Sequence, residues 1–270
     1  MILISEDVWG APFEQLSKRR AVHQDPELWN DAAKLKAEVA NAEVLVVRNR
    51  TQVTAEVIAA SPKLKVIARA GVGLDNIDIK AADKAGVVVV AGLGANAVSV
   101  AELTLGLALA LRRQIALQDR QTKSGKWLRT PGNEISGSTW GLLGCGATGR
   151  ATAKLLSGFG CKILGYDPFF KGNSEIQMVE WDQLISQSDV ISVHMPATSE
   201  TIGSIHEQVF AAMKGSAILV NVGRGELINE SDLIKALKDS QIAGAALDVR
   251  RVPLTRGRLG RRRRLRLPVE

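Results

Sequence analysis

Hydrophobic positions along the chain fall into short continuous runs instead of a strict alternation. Four runs come early: MILI (1–4), VLVV (44–47), KVIA (65–68) and VVVV (87–90). A second series holds WGLLG (140–144), KILGY (162–166), VISV (190–193), AILVN (217–221) and GAALDV (244–249). Strands that are apolar on both faces belong in parallel sheets covered on both sides. The intervals between the runs read as helices, so the pattern predicts an α/β chain. No internal repeat breaks this reading.

Between the two series the spacing predicts one long helix over about 97–122, with Val100, Leu103, Leu107 and Leu111 on one stripe. KSGKW (123–127) and TPGNEISG (130–137) follow as turn-rich stretches. The boundary is placed near Asn96. Two Rossmann-like domains with parallel sheets are expected, a flavodoxin-like, substrate-binding one over 1–96 and a dinucleotide-binding one over 97–249 that lacks its usual C-terminal end, followed by a basic tail at 250–270.

Composition adds little to this picture. A hydrophobic fraction of 46% suffices for a sizeable core. Two cysteines, Cys145 and Cys161, give no disulfide framework, and a reducing cytoplasm is the natural setting. MILISEDVWG lacks the features of a signal peptide, and the longest apolar stretch, LTLGLALAL (103–111), falls short of the ~20 residues that span a bilayer. A cytoplasmic protein without a membrane partner or a metal is expected.

Charge changes the picture only at one end. The net charge is +7, which by itself points to nucleic acid. Residues 250–270, however, carry nine arginines and one acid, against 26 bases and 27 acids in the preceding 249 residues. The body is electrically ordinary, and nucleic acid is not expected as its partner.

The chemistry starts at GLLGCGATGR (141–150), where Gly144, Gly146 and Gly149 form G-x-G-x-x-G after a strand and at the opening of a helix. That context is what a dinucleotide fingerprint requires. Gly144 permits a tight turn, Gly146 lets a pyrophosphate approach the backbone, and Gly149 lets helix and strand pack closely. The helix start offers free amides near Ala147 and Thr148. Asp167 ends the next strand, where an acid accepts from ribose hydroxyls and repels a 2′-phosphate, so NAD is favoured over NADP. The alternative is that Asp167-Pro168 is only a turn. Arg224 stands between two glycines just past a strand, at the sheet edge where ligands sit, and can grip a carboxylate with two parallel hydrogen bonds. Its alternative is a solvated loop arginine.

Further stretches accompany these motifs: VRNRTQVTAEVI (47–58), ARAGVGLDNID (68–78), NAVSVAELTLGL (96–107), SGKW (124–127), NEISGSTWGLLGCGATGR (133–150), GYDP (165–168), VHMPAT (193–198), NVGRGELINE (221–230) and GAALDV (244–249). In this order they resemble the D-isomer-specific 2-hydroxyacid dehydrogenases, most of all the members acting on phosphoglycerate, over residues 1–249. The resemblance implies hydride transfer between NAD and a small anionic 2-hydroxyacid, and a homodimer formed through the NAD-binding domain. Arg224 becomes the catalytic-site residue that meets the substrate carboxylate and carbonyl. Asp248 would face the nicotinamide amide, and Val72, Met195, Val222 and Gly223 would line the cofactor. Gly71, Val72, Gly73 and Asn96 would hold the substrate, with Arg48 and Arg69 as cations toward its phosphate. His194, in the family's HxP pattern, stands beside the cofactor and is not the proton donor.

The resemblance also implies an acid–base pair: a glutamate five residues beyond Asp248 and a histidine in a later PH motif. A carboxylate neighbour orients such an imidazole and raises its pKa. Here Pro253 stands at the glutamate position, and no histidine follows His206 in this sequence. A shifted reading frame near codon 250 accounts for the arginine-rich composition, and impaired catalysis is expected. Two other readings stay open. One is an NAD-binding interaction protein without turnover, as in corepressors of this fold. The other is a nucleic-acid binder using the basic arm, which has no aromatic residues for base stacking.

Overall fold

In the computed structural model the described residues are 1–250 and, beyond them, the backbone of the two-residue strand Leu265–Arg266. The rest of the expected basic tail lies outside the described residues. The chain divides into two compact units, Met1–Asn96 and Ala97–Glu270. Among the described residues no helix is long and apolar enough to cross a membrane.

The first unit is a five-stranded parallel sheet of β1 (Ile2–Ile4), β2 (Val22–Gln24), β3 (Val44–Val47), β4 (Val66–Arg69) and β5 (Val88–Ala91), ordered β2-β1-β3-β4-β5. The predicted runs supply four of these strands. The missed β2, sequence VHQ, has no apolar run of its own and exists by pairing Val22, His23 and Gln24 with β1. Helix α1 (Ala11–Ser17) lies apart from α2 (Ala32–Val39), α3 (Ala55–Ala59) and α4 (Ile79–Lys84) in the chain. The last three begin at Asp31, Thr54 and Asp78, whose side chains accept from Lys34, Val57 and Ala81 amides. One sheet face, with Leu3, Leu45, Val47 and Ile67, packs on Leu35, Val39, Val57, Ile58 and Ala82 of these helices. The opposite face carries a smaller cluster of Ile4, Val8 and Val46 with Phe13, and leaves Val88 and Val90 of β5 59% and 52% exposed.

The second unit opens with α5 (Ala97–Arg112) and α6 (Ile115–Lys123). The single helix expected over 97–122 is therefore two. Gln114 takes a left-handed conformation, φ +54°. The Arg112 carbonyl accepts from the Asn133 amide at 2.8 Å, and Gln114 Nε2 donates to Pro131 O at 3.0 Å. A Cβ on Gly132 would lie 2.9 Å from the Arg112 carbonyl oxygen, so the loop approaches the break only with glycine there. No proline or glycine marks the break itself; the contact with residues 131–133 accompanies it.

The sheet of this unit comprises β6 (Thr139–Leu143), β7 (Lys162–Tyr166), β8 (Gln177–Met178), β9 (Val190–Val193), β10 (Ile218–Asn221), β11 (Gly244–Leu247) and β12 (Leu265–Arg266), ordered β12-β11-β10-β9-β6-β7-β8. All pairs are parallel except β11 with β12. The strands are apolar on both sides because both faces are covered. Leu143, Leu164, Val193 and Leu219 pack with Leu184 of α8 (Trp181–Gln187), Phe210 of α9 (Glu207–Ala212) and Leu233 of α10 (Glu230–Lys238). Trp140, Leu142, Ile163 and Val220 pack with Ala108 and Leu111 of α5 and with Ala153 and Leu156 of α7 (Ala147–Leu156). Arg250, the first arginine of the basic stretch, pairs with Glu230 at 2.9 Å. Each sheet reverses its direction of growth once, between β1 and β3 in the first unit and between β6 and β9 in the second. Ligands of open α/β sheets bind at the carboxyl ends beside such a reversal.

Candidate functional site

In the second unit the turn from β6 into α7 is the G-x-G-x-x-G segment. Gly144 has φ +97°, and a Cβ there would lie 2.9 Å from both His194 C and Met195 N. A Cβ on Gly149 would fall 2.2 Å from the Gly144 carbonyl oxygen, which is the close helix–strand approach the pattern predicts. Gly146 is different: a Cβ there would meet nothing within 4 Å. Gly146 caps α7 without a side-chain acceptor, and with Ala147 it is exposed, while Thr148 is half-buried. The positive end of a ten-residue helix thus faces open space. The space and the amide donors fit a dinucleotide pyrophosphate.

Asp167 lies just past β7. Its Oδ2 accepts from the Cys145 amide at 2.8 Å, while Oδ1 accepts from the amides of Phe169 at 2.8 Å and Phe170 at 3.1 Å. It therefore makes the turn and also ties the glycine loop to β7. A carboxylate oxygen accepts more than one hydrogen bond, so these contacts leave capacity for a ribose hydroxyl. Cys145, beside it, is fully buried, and desolvation pushes its thiol up to about 12.

His194 follows β9 and abuts the Gly144 turn. Its Nε2 is 3.0 Å from Ser192 Oγ, which accepts from Trp140 Nε1 at 2.8 Å. Nδ1 is buried without a hydrogen-bond partner. Burial pushes the imidazole down to about 4. The ring is a neutral packing group turned into the sheet, with no outward-facing nitrogen for proton exchange.

Past β10 a residue the sequence reading passed over, the fully buried Asn221, organises the loop. Its Nδ2 donates to Arg224 O at 2.8 Å and its Oδ1 accepts from the Gly223 amide at 3.0 Å. Its carbonyl accepts from the Asp248 amide at 2.9 Å, beyond β11. A Cβ on Gly223 would lie 2.8 Å from the carbonyl oxygen of the buried Met195, so Val222, Gly223 and Met195 form one packed layer. Arg224 is half-buried, with Nη1 donating to Gly223 O at 2.9 Å, and Asp248 is exposed. The glycine loop, Asp167, Met195, Val222, Gly223, Arg224 and Asp248 all lie at the carboxyl edge of one sheet.

The remaining predicted residues belong to the first unit. Arg48 follows β3, and Arg69 ends β4. A Cβ on Gly71 would lie 1.5 Å from Arg69 Nη1, so the Arg69 guanidinium folds back over the turn Gly71–Val72–Gly73. Asn96, exposed, closes the unit. Sequence reasoning missed Glu6 and Asn76 here, both buried polar residues beside the Arg48 loop. The only hint was an acid two residues after an apolar strand. Among the described residues no group of three or more His, Cys, Asp or Glu side chains is placed to hold a metal ion.

A doubly wound sheet with this loop defines an NAD-binding domain, and residues 105–262 match the family model "D-isomer specific 2-hydroxyacid dehydrogenase, NAD binding domain". The chain belongs to the D-isomer specific 2-hydroxyacid dehydrogenase family. It is similar to the D-3-phosphoglycerate dehydrogenase of Archaeoglobus fulgidus, at 46% identity over 218 residues, 78% of this chain and 41% of that protein. The human D-3-phosphoglycerate dehydrogenase is 40% identical over 219 residues, 79% of this chain and 41% of that protein. The chain thus spans about two fifths of the length of these curated relatives. Among solved structures, a Thermus thermophilus protein superimposes with a TM-score of 0.86 at 31% identity, covering 95% of this chain and 84% of that one. A D-lactate dehydrogenase of Aquifex aeolicus, solved with NAD and lactic acid, gives 0.84 at 28% identity, covering 93% of this chain and 77% of that one.

The buried imidazole of His194 gives a pH signature. Its folded pKa lies near 4, below the ordinary value of 6.5, so folded protein resists a proton that unfolded chain accepts. The stability it contributes is complete above about pH 6.5 and is lost as pH falls toward 4, by up to about 3 kcal/mol. In denaturant titrations the stability difference between the parent and His194→Gln should shrink across that window. A difference independent of pH contradicts the assignment.

Proposed function

We propose that this chain binds NAD at the glycine loop of its second unit and takes a small anionic 2-hydroxyacid, with a phosphorylated one favoured. The carrying observation is the joint placement of the open helix start at Gly146 and of Arg224 at one sheet edge. Amides near Ala147 and Thr148 would hold the pyrophosphate, and Asp167 the ribose, favouring NAD over NADP. Met195, Val222 and Gly223 would line the cofactor through their backbone, and Asp248 would face the nicotinamide amide. NAD bound there supplies a hydride acceptor. Arg224 fixes the carboxylate of the hydroxyacid through two parallel hydrogen bonds. The first unit, taken by itself, carries the turn Gly71–Val72–Gly73 and Asn96 as candidate contacts for such a hydroxyacid, with Arg48 and Arg69 as the cations assigned to its phosphate.

Oxidation also removes the hydroxyl proton, which needs a base. Pro253 stands where the family resemblance puts the supporting glutamate, and no histidine follows His206 in this sequence. His194 is turned inward. With Pro253 at the glutamate position, the acid–base pair lacks its orienting carboxylate, and turnover is weak on a ligand-binding scaffold. Two further assignments complete the reading. Val98, Ile115, Trp127 and Leu128 are 62%, 54%, 78% and 56% exposed on or just after α5 and α6, which supports a homodimer through the NAD-binding domain, checked by sedimentation equilibrium. Cys145 and Cys161 are free thiols, which supports a reducing, cytoplasmic setting, checked by fractionation.

Calorimetry tests the binding part. The parent should prefer NAD to NADP, and Asp167→Asn, which removes the charge, should narrow that preference by about tenfold. Arg224→Lys keeps a positive charge but loses the planar fork, and should weaken oxamate binding by roughly tenfold or more while NAD affinity holds. Equal affinity of the parent for both cofactors, or oxamate affinity unchanged in Arg224→Lys, removes the corresponding role.

Turnover tests the rest. NADH formation from D-2-hydroxyacids should rise at least ~100-fold when residues 250–270 are replaced by a family-like ending carrying the glutamate and histidine. Comparable rates from two folded proteins mean that another group serves as base.

A further inference from the structure

The reversal in the first sheet lies between β1 and β3, and a buried carboxylate closes it. Glu6, just past β1, is 3% exposed. Its Oε1 accepts from the amides of Arg48 at 2.7 Å, Arg50 at 3.2 Å and Thr51 at 3.0 Å. Its Oε2 accepts from those of Asn49 at 3.3 Å and Arg50 at 3.1 Å. Four successive N–H groups aimed at one anion form a nest. At the place where open α/β sheets receive ligands, this chain supplies an anion of its own. Burial pushes the Glu6 carboxyl up, but the amides of Thr51, Arg48 and Arg50 outweigh it and hold it below the usual carboxylate range. The carbonyl side of the loop is fixed as well. Asn76 Nδ2 donates to Arg48 O at 3.2 Å and Thr51 O at 2.7 Å, and Thr51 Oγ1 lies 2.9 Å from Ser5 Oγ.

Because Glu6 spends its oxygens on main chain, it does not pair with the cations the loop carries. The Arg48 guanidinium instead donates to Asp7 O at 3.0 Å and lies 5.0 Å from the ring centroid of the exposed Trp9. Arg50 lies 4.7 Å from that of Trp29. Both aromatic faces hold a guanidinium in place while leaving its charge unneutralised.

We propose that Glu6 is a positioning residue for Arg48: by gathering the four amides of residues 48–51 it fixes the backbone from which Arg48 meets the anionic end of a phosphorylated 2-hydroxyacid. The inference rests on the reading of Arg48 given under the proposed function. It extends that reading to a residue that touches neither substrate nor cofactor.

The test uses the full chain, with 3-phospho-D-glycerate as the binding probe and Trp9 as the reporter. In calorimetry R48Q should weaken the probe roughly tenfold or more. E6Q turns an amide group toward N–H donors, and should weaken the probe by a similar factor without changing NAD affinity. The double variant should bind no more weakly than R48Q alone. Without ligand, the Trp9 emission, isolated by subtracting W9F, should shift in E6Q as it does in R48Q. E6D keeps the charge one methylene short, should fall between parent and E6Q, and carries the same comparison if E6Q does not fold. The positioning role is overturned if E6Q or E6D weakens the probe as much in the R48Q background as in the parent, or if Trp9 emission stays at the parent's. Parent-like affinity in R48Q instead overturns the reading of Arg48 beneath it, and the inference falls with it whatever Trp9 reports.

Discussion

The site depends on how closely β6 and α7 approach. Gly149 stands so near the Gly144 carbonyl that any side chain would collide, and Gly144 itself turns through a left-handed conformation beneath His194 and Met195. These contacts leave one way for the chain to leave the strand, and it brings the start of α7 to the carboxyl edge of the sheet. The rest of the edge is assembled around that turn. Asp167 reaches across from β7 to the Cys145 amide, and the residues after β9 close the other side.

A second theme is the use of buried polar side chains on backbone. Asn221 holds Gly223, Arg224 and, through its carbonyl, Asp248; Asn76 and Glu6 hold residues 48–51 from their two sides. Each satisfies main-chain groups that a loop at a sheet edge would otherwise leave to water. The result in both units is that the arginines are carried by loops with fixed backbone, and their guanidinium groups contact carbonyls or ring faces. That is the preparation required for meeting an anion with little reorganisation.

The motifs and the local chemistry agree with the family up to Asp248. The motifs, the sheet order and the matches to phosphoglycerate and lactate dehydrogenases agree over most of the chain. The proton-handling pair that the resemblance implies is where this sequence differs, with Pro253 in the glutamate position. Under the proposed reading, binding and orientation fall to the glycine loop and Arg224, whereas proton transfer falls to that pair.

Much was legible in the sequence because it depends on local rules. Continuous apolar runs identified nine strands, since strands covered on both faces have no polar side to show, and the glycine spacing located the β6–α7 turn because only glycine tolerates those contacts. What needed the tertiary structure depends on partners distant in the chain. The edge strand β2 is formed by pairing with β1. The break between α5 and α6 goes with a loop some twenty residues on that takes up the Arg112 carbonyl. The inward turn of His194 is set by Ser192 and Trp140. Glu6 sits beside residues 48–51 only because β1 and β3 are neighbours. Glycine, apolar runs and charge are properties of a segment, and the sequence displays them. The partner of a buried polar group is a property of the fold, and only the folded chain decides it.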